Sequence, residues 1–271
     1  MAIVTLSRDA IRPSYASGFA RCAAESANPG LWHGLIGAWV PMLGNAGLMT
    51  LPDVTPHKNN AAWSEDVQDK TDTDGYELVD GELGFYCESH DDTRYTEAVL
   101  DRAYTLSADW TIHTRMRVTS SSENNMYLGD TTQDTYYVYA LDGTRFRYED
   151  GTTYDWTSDT AFNNVTRSYT VTRRSGDVEL WLDGISQGSQ TTSGSFVVNG
   201  FGGAYTTWRL RNLHGWLFAI NIYDRALTPQ EVRLLDVDPL APFRLAPLTV
   251  GAPAAPSGLS IPIAMRHYMD S

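Results

Sequence analysis

The feature that most constrains the fold of this chain is a series of short alternating segments separated by Asp-Gly pairs. Residues 136–141, 144–149 and 152–157 are three such segments, with one Asp-Gly pair in each gap. An Asp-Gly pair readily adopts the positive φ angles of a two-residue hairpin turn. We therefore predict a meander of three antiparallel strands in this part of the chain.

A second antiparallel unit is predicted at residues 169–189, with its last turn at Asp183-Gly184. One strand of this unit alternates apolar residues with Glu179 and Trp181, which is typical of one face in the core and one partly in water. The same alternation over 110–118 predicts one face of a further strand, formed by Trp110, Ile112, Thr114, Met116 and Val118.

One helix is specified by the residues at its N-terminus. Thr228 and Glu231 have the spacing of a capping box, and Pro229 stands at the first helical position, where a backbone N–H is not needed. The helix should end before Pro239, because proline disfavours a helical conformation in the residue ahead of it.

These elements predict an all-β fold, an antiparallel β-sandwich with one short C-terminal helix and extended terminal arms. We expect an N-terminal arm at residues 1–33, a sandwich at 34–238 whose first strand is 34–40, and a proline-rich C-terminal arm at 239–271. Residues 41–81 lack sustained alternation and are predicted to be an irregular excursion over the surface.

The C-terminal arm carries more apolar surface than a segment in water would leave exposed. We therefore expect it to dock on a neighbouring subunit through its apolar residues Phe243, Leu245, Leu248, Ile261, Ile263 and Tyr268.

The net charge of −13 argues against a nucleic-acid surface, which needs clustered Lys and Arg. Residues 66–92 alone hold ten acids. The N-terminus reaches Arg8 and Asp9 after a short apolar run, and no run is long enough to cross a bilayer, so we expect neither a signal peptide nor a membrane span. Whether the two cysteines, Cys22 and Cys87, form a disulfide stays open.

Two segments carry a family resemblance. Residues 168–189, SYTVTRRSGDVELWLDGISQGS, contain a strand ending in basic residues, an apolar-aromatic strand and an Asp-Gly turn. Residues 213–235, LHGWLFAINIYDRALTPQEVRLL, contain a glycine, a strand and a capped helix. In this order they resemble laminin-G-like domains of the concanavalin A-like lectin/glucanase superfamily, which implies two curved antiparallel sheets, a jelly roll. Many members carry two acids where this chain has Phe218 and Ala219, so no role of those acids transfers.

The segment after the helix, residues 238–244, is similar to the continuation of such domains in virion proteins of tailed phages. The resemblance implies a non-catalytic structural subunit of a phage particle, such as a capsid decoration, a spike or a tail-associated protein. Its partners would be other virion proteins, through the C-terminal arm, and host surface glycans, and it would form a homo-oligomer. The alternative is a lectin-like adhesion module that is not part of a particle.

We expect no enzymatic activity. Glycoside hydrolases of this fold act with paired acids on one strand, and no Glu-x-Asp-x-x-Glu run is present. Glu179 and Asp183 come nearest to such a pair, but a solvated strand face and a turn account for them better. Ser193 precedes a glycine yet lacks the strand-to-helix elbow that exposes a nucleophile.

No cofactor is expected, although calcium is kept as an alternative. Asp66, Asp69, Asp72 and Asp74 would supply oxygen ligands, but Lys70 stands where an EF-hand loop begins with an acid. A solvated acidic loop is the simpler interpretation. The six histidines show no metal-ligand spacing, so zinc is unsupported.

Carbohydrate binding would need an exposed aromatic platform beside polar side chains. The candidates near predicted loops are Tyr154, Trp156, Tyr205 and Trp208. Packing within the hairpins is the alternative role for each, because cross-strand aromatic pairs stabilise such meanders.

Overall fold

The structure of the chain is a computed structural model. It describes residues 4–6, 18–43, 50–63, 75–87, 89–91, 94–95, 98–119, 125–130, 136–141, 145–157, 164–192, 194–202 and 213–250. Among these residues, no helix combines the length and the apolar character that crossing a bilayer requires.

The described residues form twenty strands, numbered here in chain order. They are β1 Val4–Leu6, β2 Leu35–Trp39, β3 Thr50–Leu51, β4 Ala61–Trp63, β5 Gly75–Val79, β6 Glu82–Cys87, β7 Ser89–Asp91, β8 Arg94–Tyr95, β9 Ala98–Leu106, β10 Trp110–Val118, β11 Asn125–Gly129, β12 Tyr136–Leu141, β13 Arg145–Asp150, β14 Thr153–Thr157, β15 Thr166–Arg174, β16 Asp177–Leu182, β17 Ile185–Thr191, β18 Phe196–Phe201, β19 Gly215–Tyr223 and β20 Leu248–Val250. The α-helix, α1, is Pro229–Val237, and short 3-10 helices lie at Pro29–Trp32 and Ala241–Phe243.

Two antiparallel sheets of eight strands each form a sandwich. Sheet I has the order β17-β16-β15-β10-β19-β6-β5, and β2 also pairs with β19. Sheet II has the order β14-β13-β12-β11-β18-β9-β4-β3. Outside these sheets, β1 pairs with β20 and β7 with β8. The two layers confirm the β-sandwich predicted from the alternating segments.

The core lies between the inner faces of the two sheets. Trp110, Ile112 and Met116 of β10 are buried in it, as the alternation predicts. Across the layers, Trp110 stacks on Phe196 of β18, with ring centroids 5.7 Å apart and planes inclined by 24°. Burying side chains of this size contributes about 1.5–3 kcal/mol each to the free energy of unfolding. The core between the two sheets is therefore the main source of stability.

The predicted hairpins and helix are confirmed. Strands β12, β13 and β14 pair in order, and so do β15, β16 and β17. In the turn after β16, Asp183 has φ 49° and Gly184 has φ 70°, the positive angles that an Asp-Gly hairpin requires. At the start of α1, Thr228 Oγ1 accepts a hydrogen bond from Glu231 N, while Glu231 Oε2 accepts one from Thr228 N.

Residues 41–81 are more regular than the sequence predicts, because β3, β4 and β5 lie in this stretch and occupy one edge of the sandwich. Their lengths of 2, 3 and 5 residues are too short to show a period. Asp53, which is 1% exposed, organises the intervening loop. Its carboxylate accepts hydrogen bonds from the backbone N of Ala38, Thr55 and Asn59 at 3.1, 2.9 and 2.9 Å.

The first part of the C-terminal arm packs on its own chain. Phe243 is 2% exposed and meets Phe19 and Trp32 edge to face, with centroids 6.4 and 5.6 Å apart. Ser26 forms a backbone bridge with Leu245. The prediction that Phe243 docks on a neighbouring subunit is therefore wrong, because its ring is already used in joining the two terminal segments.

The remaining assembly residues have different positions. Leu248 begins β20 and is paired in register with Leu6 of β1. Three of them lie outside the described residues: Ile261, Ile263 and Tyr268. The two cysteines are not joined by a disulfide, since Cys22 is exposed while Cys87 lies in the core between the sheets.

Candidate functional site

The aromatic residues predicted as a carbohydrate platform serve to pack the sandwich where they are described. Trp156 is 5% exposed, and its Nε1 donates to Gly188 O at 3.1 Å. Tyr154 is half-buried and lies against Tyr148, with centroids 5.8 Å apart. The expectation of an exposed platform at Trp156 is wrong, because its ring faces inward at the edge of the core. Two of the predicted residues lie outside the described ranges: Tyr205 and Trp208.

The outer face of sheet I is divided into a covered half and an open half. A second hydrophobic cluster covers the half near the end of β19 and contains Tyr223, Val232 and Leu235 of α1, and Phe243. Trp181 also belongs to this cluster and is 6% exposed, so it is buried rather than partly in water. The half near the start of β19 lies outside this cluster.

The open half carries a row of planar side chains, called here the aromatic row: Tyr86, Trp216 and Arg117. They are direct neighbours across β6, β19 and β10. The Tyr86 and Trp216 rings have centroids 4.9 Å apart, and the guanidinium carbon of Arg117 lies 5.7 Å from the Trp216 centroid. Tyr86 OH is 3.3 Å from Nε2 of His214. All of these side chains are partly exposed.

A glycine allows the Trp216 indole to lean across β6. Its Nε1 donates to Glu77 Oε2 at 2.8 Å, although Glu77 lies on β5, beyond β6. Gly84 of β6 is paired with Glu77, and a Cβ there would lie 3.1 Å from the Cβ of Trp216. On the other flank, Arg117 Nη1 pairs with Asp80 at 2.8 Å. The indole is therefore held by contacts from β5 and β6, while Arg117 of β10 lies over its ring.

A pocket of about 260 Å³ adjoins the aromatic row. Phe218 lines it and, like Trp216, packs over Gly84, where a Cβ would come within 2.7 Å of the Phe218 ring. Leu240 lines the opposite side, at the start of the C-terminal segment. The pocket also takes Val40 and Ala219 from the second hydrophobic cluster, so it lies where the open half of sheet I meets the covered half.

Two ion pairs line this pocket. Arg115 donates to both carboxylate oxygens of Glu82, at 2.5 and 2.7 Å, and Arg244 does the same to Asp238, at 2.9 and 3.1 Å. Hydrogen bonding to Glu82 raises the pKa of Arg115 further above its ordinary value. The pocket therefore presents fixed, paired charges beside an apolar wall.

The carboxylates considered as a hydrolytic pair have structural partners. Asp183 accepts a hydrogen bond from Ser168 N at 3.0 Å and pairs with Arg167. Glu179 accepts from Ser186 Oγ, which joins β16 to β17. Both acids therefore stabilise the hairpin unit in which they lie.

Within the described ranges, no three His, Cys, Asp or Glu side chains converge on a possible metal position. The residues considered for calcium lie outside those ranges: Asp66, Asp69, Asp72 and Asp74. His113 is fully buried, and burial first, then the charge of Arg115, lowers its pKa to about 3. Its Nδ1 lies 3.3 Å from Asn221 Nδ2 on the neighbouring strand β19, which gives it a structural role.

The family model of the concanavalin A-like lectin/glucanases superfamily, in its laminin-G form, matches residues 91–233, more than half of the chain. The chain belongs to this superfamily. The match begins after β6, so this concanavalin A-like chain carries Glu77, Gly84 and Tyr86 on a hairpin outside the matched region. Among proteins with curated descriptions, none matches the chain.

Three solved structures show the same fold. Domain 4 of AbnA, an extracellular arabinanase from Geobacillus stearothermophilus in complex with arabinotriose, has a TM-score of 0.53 and 15% identity, over 74% of this chain and 98% of that one. The binding domain of Paraclostridial Mosquitocidal Protein 1 has 0.50 and 18%, over 75% and 52%. Trypanosoma rangeli sialidase in complex with sialic acid has 0.52 and 14%, over 76% and 33%.

These identities show a lectin-like fold and leave the ligand unassigned. The chain spans about a third of the length of the sialidase and about half of the toxin binding domain. The aromatic row was not predicted from the sequence, because its members come from three strands far apart along the chain. The one local signal was the half-buried Trp216 between buried Gly215 and Leu217 on the closing strand.

Proposed function

We propose that the chain is a non-catalytic structural subunit of a tailed-phage particle whose lectin-like sandwich contacts host surface glycans. The observation that carries the proposal is the division of the outer face of sheet I. The terminal segments and α1 cover one half, the aromatic row lies on the other, and the pocket lies where the two halves meet. Attachment through the residues that follow Val250 and glycan contact through the aromatic row therefore use separate residues.

The pairing of the chain ends supports attachment. In the register of β1 and β20, Val4 stands opposite Val250. The sequence continues for 21 residues beyond Val250, and these include Leu259, Ile261 and Ile263. A segment of this composition is expected to be covered by a partner, because contiguous apolar surface is seldom left in water.

The open half supports glycan contact. Trp216 and Tyr86 combine apolar rings with polar groups. This combination suits a surface whose ligand stays partly in contact with water. The arabinanase domain that shares this fold is in complex with arabinotriose. The structural partners of Glu179 and Asp183 support a non-catalytic role.

Charges placed on the terminal segment test attachment. The double variant Ile261→Asp/Ile263→Asp should lower incorporation into particles to background, because it puts charge where an apolar contact is expected. The control Ser257→Asp/Ser260→Asp adds the same charge at polar positions and should incorporate normally. Equal incorporation of both variants would contradict the attachment role.

A deletion that tests attachment must leave the second hydrophobic cluster intact. Deleting residues 240–271 would remove Phe243 and expose the second hydrophobic cluster, so loss of incorporation could reflect unfolding. Deleting residues 251–271 leaves that cluster complete. This shorter deletion should abolish incorporation while the melting temperature of the remaining protein stays unchanged.

A second candidate is a lectin-like adhesion module that is not part of a particle. It is favoured by the toxin binding domain, which has this fold and is itself a binding module. Under this alternative the chain would bind glycans but be absent from purified particles, whereas the first proposal requires its presence there.

A further inference from the structure

We propose that the aromatic row is a saccharide-binding surface centred on Trp216, and that its ligand is a neutral rather than an acidic sugar. This inference rests on the proposed glycan contact and assigns it a location and a ligand class. It depends on three features of the open half of sheet I: the contacts that support the Trp216 indole, the weak ion pair that holds Arg117 above it, and the local charge.

The indole of Trp216 is held in place from below and from its edge. Gly84 leaves room for the Trp216 side chain, whose Cβ lies 3.1 Å from where a Cβ of residue 84 would be, and the 2.8 Å hydrogen bond from Nε1 to Glu77 fixes the orientation of the indole. Tyr86 packs beside it, with ring centroids 4.9 Å apart. A ring that is already ordered loses little side-chain freedom when a ligand binds, which favours affinity.

The cation above this ring is weakly held. Arg117 lies over the indole and pairs with Asp80, whose side chain is 76% exposed. Exposed ion pairs of this kind contribute little to stability. Nε of Arg117 has no hydrogen-bond partner among the described residues, so moving the guanidinium gives up little. A sugar ring can then lie on the indole while Arg117 donates to its hydroxyl groups.

The local charge selects the ligand class. Among the described residues of the row and its flanks, two guanidinium groups, Arg115 and Arg117, face three carboxylates, those of Glu77, Asp80 and Glu82. The described part of this surface therefore has a net negative charge, within a chain whose net charge is −13. A carboxylated or sulfated sugar would be repelled, whereas the hydroxyl groups of a neutral sugar can donate to the carboxylates and accept from the cations.

Glycan binding by the full chain tests the inference. Wild-type protein is applied to an array holding neutral and acidic glycans, and the strongest neutral binder is then titrated by calorimetry. Trp216→Ala should weaken that binding by about tenfold or more, as the loss of a central aromatic contact does. Leu78→Ala, on the β5–β6 hairpin that carries Tyr86 and 71% exposed, is the control and should bind as the wild type does.

Tyr86→Ala provides a second test from another strand, and thermal melting of each variant separates lost binding from lost folding. Weakened binding in both folded variants supports the site. Neutral-glycan binding that survives both substitutions would overturn the site and leave glycan contact standing. A preference for acidic glycans would overturn the ligand class, and no binding by wild type would overturn glycan contact itself.

Discussion

Trp156 and Gly188 join the two sheets at one edge of the sandwich, where the indole N–H of β14 donates to the carbonyl oxygen of β17 at 3.1 Å. At the opposite edge, the Tyr76 hydroxyl of β5 donates to Thr50 O of β3 at 2.9 Å. In both places an aromatic side chain from the last strand of one sheet reaches the backbone of the last strand of the other. Each contact satisfies one backbone carbonyl of an edge strand and ties the two sheets together at that edge.

Removing the indole N–H of Trp156 should loosen this edge. Trp156→Phe is expected to lower the free energy of unfolding by about 1 kcal/mol, the net value of one hydrogen bond. Trp156→Ala should cost about 3–5 kcal/mol, because it also leaves a cavity. Urea unfolding measures both effects. If Trp156→Phe were as stable as the wild type, the hydrogen bond to Gly188 would not hold the edge.

Acid should destabilise the protein through His113. Its pKa is about 3 in the folded state, below the ordinary value of 6.5, so the unfolded chain binds the extra proton between these values. This contribution is complete above pH 6.5 and is lost as the pH falls towards 3. By pH 5 the loss is about 2 kcal/mol.

The measurement is the free energy of unfolding in urea at several pH values from 7.5 to 5. His113→Asn keeps a polar acceptor near Asn221 but does not titrate in this range. Its stability should therefore fall less steeply with acid than that of the wild type. Identical slopes for the two proteins would exclude His113 as the cause.

The capping box of α1 should contribute to global stability, because α1 belongs to the second hydrophobic cluster. Thr228→Ala removes the acceptor for Glu231 N and should cost about 1 kcal/mol. Thr228→Ser keeps the hydroxyl and serves as the control. Thermal melting distinguishes the two variants, and equal melting temperatures would show that the cap contributes nothing.

Gly84 is predicted to be intolerant of a side chain. Gly84→Ala would place a Cβ 2.7 Å from the Phe218 ring, so the aromatic residues above it must shift, at about 1–3 kcal/mol. Gly30→Ala is the control, since the nearest atom to its Cβ would be 4.0 Å away. Unfolding in urea and tryptophan fluorescence report the two effects. An unperturbed Gly84→Ala variant would contradict the close packing described here.

Local signals predicted much of the fold. The alternation in β10, the Asp-Gly turns and the Thr228 capping box each depend on residues close in sequence. They can therefore be recognised from the sequence alone. The strands within residues 41–81 were missed because each is too short to show a period.

The site was harder to predict because it depends on register between distant strands. Trp156 looked exposed beside a predicted turn, yet its indole faces Gly188, a contact between opposite sheets. Tyr86, Arg117 and Trp216 meet only because β19 lies between β6 and β10 in sheet I. Local sequence patterns do not predict the order of the strands in a sheet.

The most direct test of the proposed role is a quantitative protein inventory of purified phage particles by mass spectrometry. The account predicts that the chain is present at a fixed ratio to the other particle proteins across the whole particle peak of a density gradient. Recovery of the chain only in the soluble fraction, with none in the particle peak, would contradict it.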